Sequence, residues 1–203
     1  QPAEGAVGAQ PGDDLALVEQ EAQRICAARG AFRADQFQLE ACNRAHENRT
    51  AIEMIEQADG DIDAFVDFAG SGSTFGGVSR GLKKYNPAIH CYVAEPEAAA
   101  VYAAKEIKNL GAHKIQGAGY SMDLPLIDKG LIDGFIQITD DNAADKARNL
   151  ARLEGVFAGY SSGANLDAAI QLLKGTEKGK TVVITINDSG LKYLSTDLYP
   201  QFE

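Results

Sequence analysis

The sequence predicts an α/β fold, a mostly parallel sheet flanked by helices. Three observations carry that prediction. Short apolar runs at 62–68, 89–94, 135–139 and 180–186 alternate with segments of helical period. The runs are close to continuously apolar, as strands buried on both faces are. The first of them leads into Gly70-Ser71-Gly72-Ser73-Thr74 and then into a helical pattern, a strand–turn–helix unit typical of such sheets.

Along the chain, Asp13 or Asp14 is placed to cap a helix that runs to about Ala28 and stops at Gly30. A short strand is expected around Phe32 and Phe37. A second helix is expected over 44–57, ended by Asp59-Gly60. After the strand 62–68 and the Gly/Ser turn, a helix over 75–84 is broken by Tyr85-Asn86-Pro87. The strand 89–94 ends at Glu95-Pro96, and 111–125 reads as loop. Beyond the strand 135–139, Asp140 or Asp141 is expected to cap a helix with Ala144, Ala147 and Ala151 on one face and Gly155 at its end. A further helix follows Gly159-Tyr160-Ser161-Ser162-Gly163, with Ser161 or Ser162 as its expected cap.

Composition narrows the function classes. Of 203 residues 45% are apolar, enough for a sizeable core, and the net charge of −10 disfavours nucleic acid or an anionic membrane as partner. No window approaches the ~18 apolar residues of a membrane span. Three widely spaced cysteines, Cys26, Cys42 and Cys91, read as reduced thiols in a cytoplasmic setting. His46, His90 and His113 are equally scattered, so no metal site is expected. The Gly/Pro-rich opening residues read as the interior of a loop or as a linker.

The Gly70–Thr74 turn is an anion site. Its glycines admit close approach, its N–H groups converge, and the following helix adds partial positive charge. A dinucleotide is one possible guest, since Glu95 lies about where a ribose-binding acid belongs; Phe75 in the third glycine position argues against it, because its benzyl group is expected to obstruct close packing of helix on strand. A nucleotide P-loop fails because no lysine precedes Lys83. A smaller cofactor held by a single phosphate, such as pyridoxal phosphate, needs only backbone donors and the hydroxyls that Ser71, Ser73 and Thr74 supply. Gly159-Tyr160-Ser161-Ser162-Gly163 also fits the hydrolase nucleophile elbow. That reading needs a histidine after the serine, and the last one is His113.

Longer motifs, in order, resemble the cysteine synthase (O-acetylserine sulfhydrylase) and cystathionine β-synthase family of fold-type II pyridoxal-phosphate enzymes. They are His113-Lys114-Ile115-Gln116-Gly117-Ala118-Gly119, Gly159-Tyr160-Ser161-Ser162-Gly163-Ala164, and Asp188-Ser189-Gly190-Leu191-Lys192-Tyr193-Leu194-Ser195-Thr196. Gln36-Phe37 followed by His46-Glu47 and Thr50 adds a fourth. The resemblance covers nearly the whole chain. It implies a three-layer, tryptophan synthase β-like fold with pyridoxal 5'-phosphate as cofactor. Residues 1–40 would be the remainder of a small N-terminal domain, and 41–203 the large cofactor-binding domain.

Carried over by position, Gly70, Ser71, Gly72, Ser73 and Thr74 would hold the cofactor phosphate, and Ser161 would meet the pyridine nitrogen. Gln36 and Gly117 would lie near the substrate. A neutral serine does not demand a protonated ring nitrogen, which favours replacement or elimination of a β-substituent over transamination. The implied reaction is cysteine synthesis from O-acetylserine and sulfide. A cystathionine β-synthase-like enzyme, a serine/threonine dehydratase, a non-catalytic or incomplete homologue and, more distantly, a dinucleotide-binding oxidoreductase remain open. The resemblance also implies a homodimer acting on a small amino acid.

Some positions depart from the family. Its Schiff-base lysine and its substrate-carboxylate loop belong upstream of anything in this sequence, so no catalytic residue is assigned here and the chain alone would be inactive. Lys83 and Lys84 read as a solvated helix face. Ser71 and Ser73 stand where the family has Thr and Gly, and Ser73 is expected to restrict a permissive φ. Gln38-Leu39-Glu40-Ala41-Cys42-Asn43 and Tyr120-Ser121-Met122 also differ, which leaves strict O-acetylserine specificity open.

Overall fold

The computed structural model describes residues 12–103, 111–120 and 122–199, with backbone alone for 12–16. The opening linker, capping by Asp13 or Asp14, and Ser121 therefore lie outside the described residues. Helix α1 spans Gly12–Arg29. The strand expected around Phe32 and Phe37 is absent. Asp35 instead folds the backbone on itself, its carboxylate accepting from Phe37 N–H (2.9 Å) and its carbonyl from Leu39 N–H (2.8 Å), while Phe32 stays exposed.

The second helix begins earlier than expected. It runs as α2 (Glu40–Ala45), a π-helical turn over His46–Thr50, and α3 (Ala51–Gln57). Strand β1 (Ala64–Phe68) leads to helix α4 (Ser73–Tyr85), and β2 (His90–Pro96) follows. Strand β3 (Gly134–Ile138), helices α5 (Asp140–Glu154) and α6 (Tyr160–Lys174), and β4 (Val182–Ile184) complete the order. Thr139, not Asp140 or Asp141, caps α5: its hydroxyl accepts from Asn142 N–H, leaving both acids in the first turn to favour the dipole.

The four described strands pair in parallel, in the order β3-β2-β1-β4. The chain thus builds outward from β1 through β2 to β3, then returns to the other side of β1. That reversal opens a crevice beyond the carboxyl ends of β1 and β4. Two apolar layers cover the sheet. Ala64, Val66, Phe68, Ala94 and Ile138 pack against α5 and α6. Phe65, Cys91 and Val93 pack against Phe75, Val78 and Leu82 of α4, with Ala51 and Met54 of α3 behind them. Phase along each strand assigns alternate side chains to the two layers.

Two expectations about side chains are corrected. Phe75 does not obstruct helix-on-strand packing; it is fully buried and stacks on Phe65 of β1 with ring centroids 6.0 Å apart. Lys83 is not on a solvated face. Its ammonium donates to Ile89 O (3.0 Å) and to Asp133 Oδ2 (2.6 Å), tying α4 to the approach to β3. Lys84 is exposed, as expected.

Candidate functional site

A cavity of about 280 Å³ lies in the crevice beyond β1 and β4. Gln36, Gly70, Ser71, Gly72, Thr74, Gly117 and Ser161 all line it, so the structure brings the Gly70–Thr74 turn and the Ser161 motif together. Ser73 stands just behind, its hydroxyl 3.1 Å from that of Ser71. The positive φ of this turn falls on Gly72 (90°), where a Cβ would also come 2.9 Å from the Ile127 side chain. Ser73 simply starts α4 and carries none of the strain expected of it. The first N–H groups of α4 have no helical partners, and Thr74 of that first turn lines the cavity, as a site for an anion requires.

Around the rim, two loops meet the turn. A Cβ on Gly70 would lie 2.9 Å from Gly117 O, so the phosphate-type turn and the 113–119 loop are in near contact. His113 staples that loop by bonding Gly119 O through Nε2 (2.9 Å). Phe37, beside Gln36, meets Tyr120 edge-on at 5.4 Å, which closes the third side. Beneath Thr74, its hydroxyl is 3.4 Å from His46 Nε2, and His46 Nδ1 is 3.0 Å from Thr50 Oγ1. Burial lowers the His46 pKa, so the ring supports Thr74 as a neutral group.

At the other end, α6 starts without a side-chain cap. Gly159 occupies the cap position in extended conformation, so neither Ser161 nor Ser162 plays that part. Ser162 accepts from Asn187 N–H (2.9 Å) and pins the segment after β4, whereas Ser161 lines the cavity. Gly163 has a packing reason for its place in the motif: a Cβ there would fall 2.0 Å from Ala143 O of α5.

Several lining residues were given no site role from the sequence: Asp67 and Asn187, and Gln116, Tyr120, Asp188 and Lys192 within segments quoted only for their likeness to or departure from the family. Asp67 had a signal, a carboxylate inside an otherwise apolar strand. It is 2% exposed, and its Oδ1 accepts from Thr185 Oγ1 (2.6 Å) and Asn165 Nδ2 (3.5 Å). Burial pushes its pKa up to about 6, with the bonds from Thr185 and Asn165 pulling the other way. Asp188 accepts from Tyr193 Oη (2.8 Å) and Lys192 Nζ (3.3 Å) on one oxygen, while the other is buried without a partner among the described residues.

The donor set fits a small phosphorylated ring. Backbone N–H groups of the turn and the hydroxyls of Ser71, Thr74 and Ser161 line one cavity, and about 280 Å³ is near the lower bound of small-molecule sites. A dinucleotide does not fit. Glu95, the residue positioned for a ribose, spends both carboxylate oxygens on the N–H groups of Val101, Tyr102 and Ala103. Among the described residues no group of His, Cys, Asp and Glu is arranged to hold a metal ion.

Comparison with known proteins agrees with this geometry. The model of the pyridoxal-phosphate dependent enzyme family matches residues 6–188. A cysteine synthase of Staphylococcus aureus (strain N315) is 40% identical over 171 residues, 84% of this chain and 54% of that protein. The crystal structure of O-acetyl serine sulfhydrylase isoform 3 from Entamoeba histolytica superposes with a TM-score of 0.82 at 32% identity, covering 91% of this chain and 55% of that one. An O-acetylserine dependent cystathionine beta-synthase from Helicobacter pylori gives a TM-score of 0.80 at 29% identity, over 89% of this chain and 58% of that one. The chain thus spans about half the length of the curated relatives it matches. With its parallel sheet between two helical layers and its site at the reversal of strand order, the chain belongs to the fold-type II pyridoxal-phosphate dependent enzymes.

Proposed function

We propose that the full-length protein containing this chain carries out β-replacement on an activated serine, making cysteine from O-acetylserine and sulfide. The observation that carries the reading is the shared cavity of the Gly70–Thr74 turn and Ser161. The turn and the α4 N-terminus would hold the phosphate of pyridoxal 5'-phosphate, with Thr74 steadied by His46. Ser161 would donate to or accept from the ring nitrogen. Gln36 and Gly117, which line the same cavity, would orient the substrate and exclude water. The cofactor, when bound, supplies the electron sink that lets the β-substituent leave.

The Schiff-base lysine would come from sequence outside this chain. Residues 1–40 would complete the smaller domain and 41–203 form the larger one, in a cytoplasmic homodimer. A cystathionine β-synthase-like or dehydratase activity is the second reading, favoured by the Helicobacter pylori neighbour. Among the described residues no helix is long and apolar enough to cross a membrane.

The test is to incubate the full-length protein with pyridoxal phosphate, record its visible absorbance, and add O-acetylserine. A bound-cofactor band that shifts with O-acetylserine, and cysteine formed when sulfide follows, are the expected results. A protein that stays colourless overturns the cofactor reading. A shift with serine and homocysteine alone transfers the assignment to cystathionine synthesis.

A further inference from the structure

Strands β1 and β4 pair over a short stretch and then part. Ala64 is in register with Val182 and Val66 with Ile184, and Ala64 N–H donates to Thr181 O (3.1 Å). Alternate residues of a strand direct their backbone groups to the same neighbour. Phe68 therefore faces β4, as Ala64 does, while Ala69 N–H turns to Ala94 O of β2 (3.2 Å). Continued by four residues, the register would give Phe68 N–H to Thr185 O. Instead the side chain of Asn165, on α6, takes both ends of that bond. Its Oδ1 accepts from Phe68 N–H (2.6 Å), and its Nδ2 donates to Thr185 O (3.0 Å).

The surroundings fix the carboxamide in this orientation. Its Nδ2 also lies 3.0 Å from Thr185 Oγ1, 3.4 Å from Asn187 Oδ1 and 3.5 Å from Asp67 Oδ1. Thr185 gives its own hydroxyl proton to Asp67 Oδ1 (2.6 Å), so each of these atoms is an acceptor toward Asn165. Asn165 is fully buried, and an unpaired group there would carry its whole desolvation cost. The insertion coincides with the opening of the cavity. Asp67, Phe68 and Asn187 all bond Asn165 and all line the cavity, and Gly70, where the turn begins, comes two residues after Phe68. Ser161 lies one helical turn before Asn165 on the same face of α6, a rise of about 5.4 Å.

We propose that Asn165 is a positioning residue for the cofactor. Inserted in the β1–β4 ladder in place of one bond, its carboxamide holds the strand ends apart. It thereby fixes the span between the Gly70–Thr74 turn and Ser161 that a phosphorylated pyridine ring must bridge. The inference rests on the cofactor reading above and deepens it. A ligand gripped at two ends gains from the second grip only where the span is already right. With a small side chain at 165, Phe68 N–H can close directly onto Thr185 O, which narrows the cavity floor and leaves the turn itself intact.

The test uses the full-length protein stripped of cofactor, with two probes. Pyridoxine 5'-phosphate carries ring and phosphate but no aldehyde, so it binds without a covalent bond. Inorganic phosphate meets the turn alone. In titration calorimetry, Asn165→Ala should weaken pyridoxine 5'-phosphate by about tenfold or more and leave inorganic phosphate within about twofold. A loss of stability alone would not separate the two probes. Equal weakening of both, or no weakening of either, overturns the inference while the cofactor reading stands. An unmutated protein that does not bind pyridoxine 5'-phosphate overturns both. A second measurement needs no variant: in the unmutated, cofactor-free protein the Asn165 side-chain amide should show a nuclear Overhauser contact with Phe68 N–H. Its absence overturns the inference.

Discussion

Replacing Asp67 by Asn should make the cofactor-free protein more stable at neutral pH, and only there. Asp67 has a folded-state pKa of about 6 against an ordinary value of 3.8, because burial disfavours its charge. A raised carboxyl pKa means the folded state binds the proton more tightly than the unfolded state. The stabilisation from protonated Asp67 is therefore complete below the unfolded value and is lost as pH rises through about 6. The whole loss is about 3 kcal/mol at 1.36 kcal/mol per pKa unit, of which about 2 kcal/mol falls between pH 4.5 and 7.5. Asn keeps the size and can still accept from Thr185, but it does not titrate. Urea unfolding of both proteins, without added cofactor, should show the variant gaining on the unmutated protein by about 2 kcal/mol across that window. The comparison cancels the slope from every other carboxylate. A difference between the two that is constant with pH would refute the reasoning, because Asp67 would then be either uncharged throughout or fully paired.

Other substitutions test the rest of the frame. Gly163→Ala should destabilise the protein by about 1–3 kcal/mol in urea unfolding, since its methyl would meet Ala143 O at 2.0 Å and the α5–α6 pair would have to part. An unchanged midpoint would mean that the two helices can separate at no cost. Gly72→Ala combines a φ of 90° with a 2.9 Å approach to Ile127, and should weaken pyridoxal phosphate retention, measured by equilibrium dialysis, by at least tenfold. Glu95→Gln removes a charged acceptor from the N–H groups of Val101, Tyr102 and Ala103; a loss of about 1.5–3 kcal/mol is expected locally, seen as faster amide exchange at those three positions.

Much of the architecture was written in local pattern. Apolar runs placed all four strands within two residues of their observed starts or ends, and Gly155 marked the end of α5 because its left-handed conformation suits glycine. The turn at Gly70–Thr74 was readable because strand, glycines and helix are contiguous. Local pattern failed where a nearby polar group offered the backbone a different bond: Asp35 took the strand expected around Phe37, and Thr139 took the cap expected of Asp140 or Asp141. It failed again for Lys83, whose apparent solvent face is covered by Asp133 from a segment fifty residues away in sequence.

The sequence by itself determined the class of fold, the strand–turn–helix unit at Gly70–Thr74 and the helix that follows Gly159, because each depends on residues adjacent in the chain. Only the tertiary structure decided that turn and serine share one cavity, since the return of β4 to the side of β1 away from β2 brings α6 over the end of β1. It alone decided that Asp67, a carboxylate within an apolar strand, lines that cavity and is held there by Thr185 and Asn165. Those partners lie about a hundred residues further along the chain, and a carboxylate's protonation is set by what surrounds it in space rather than by what precedes it in sequence.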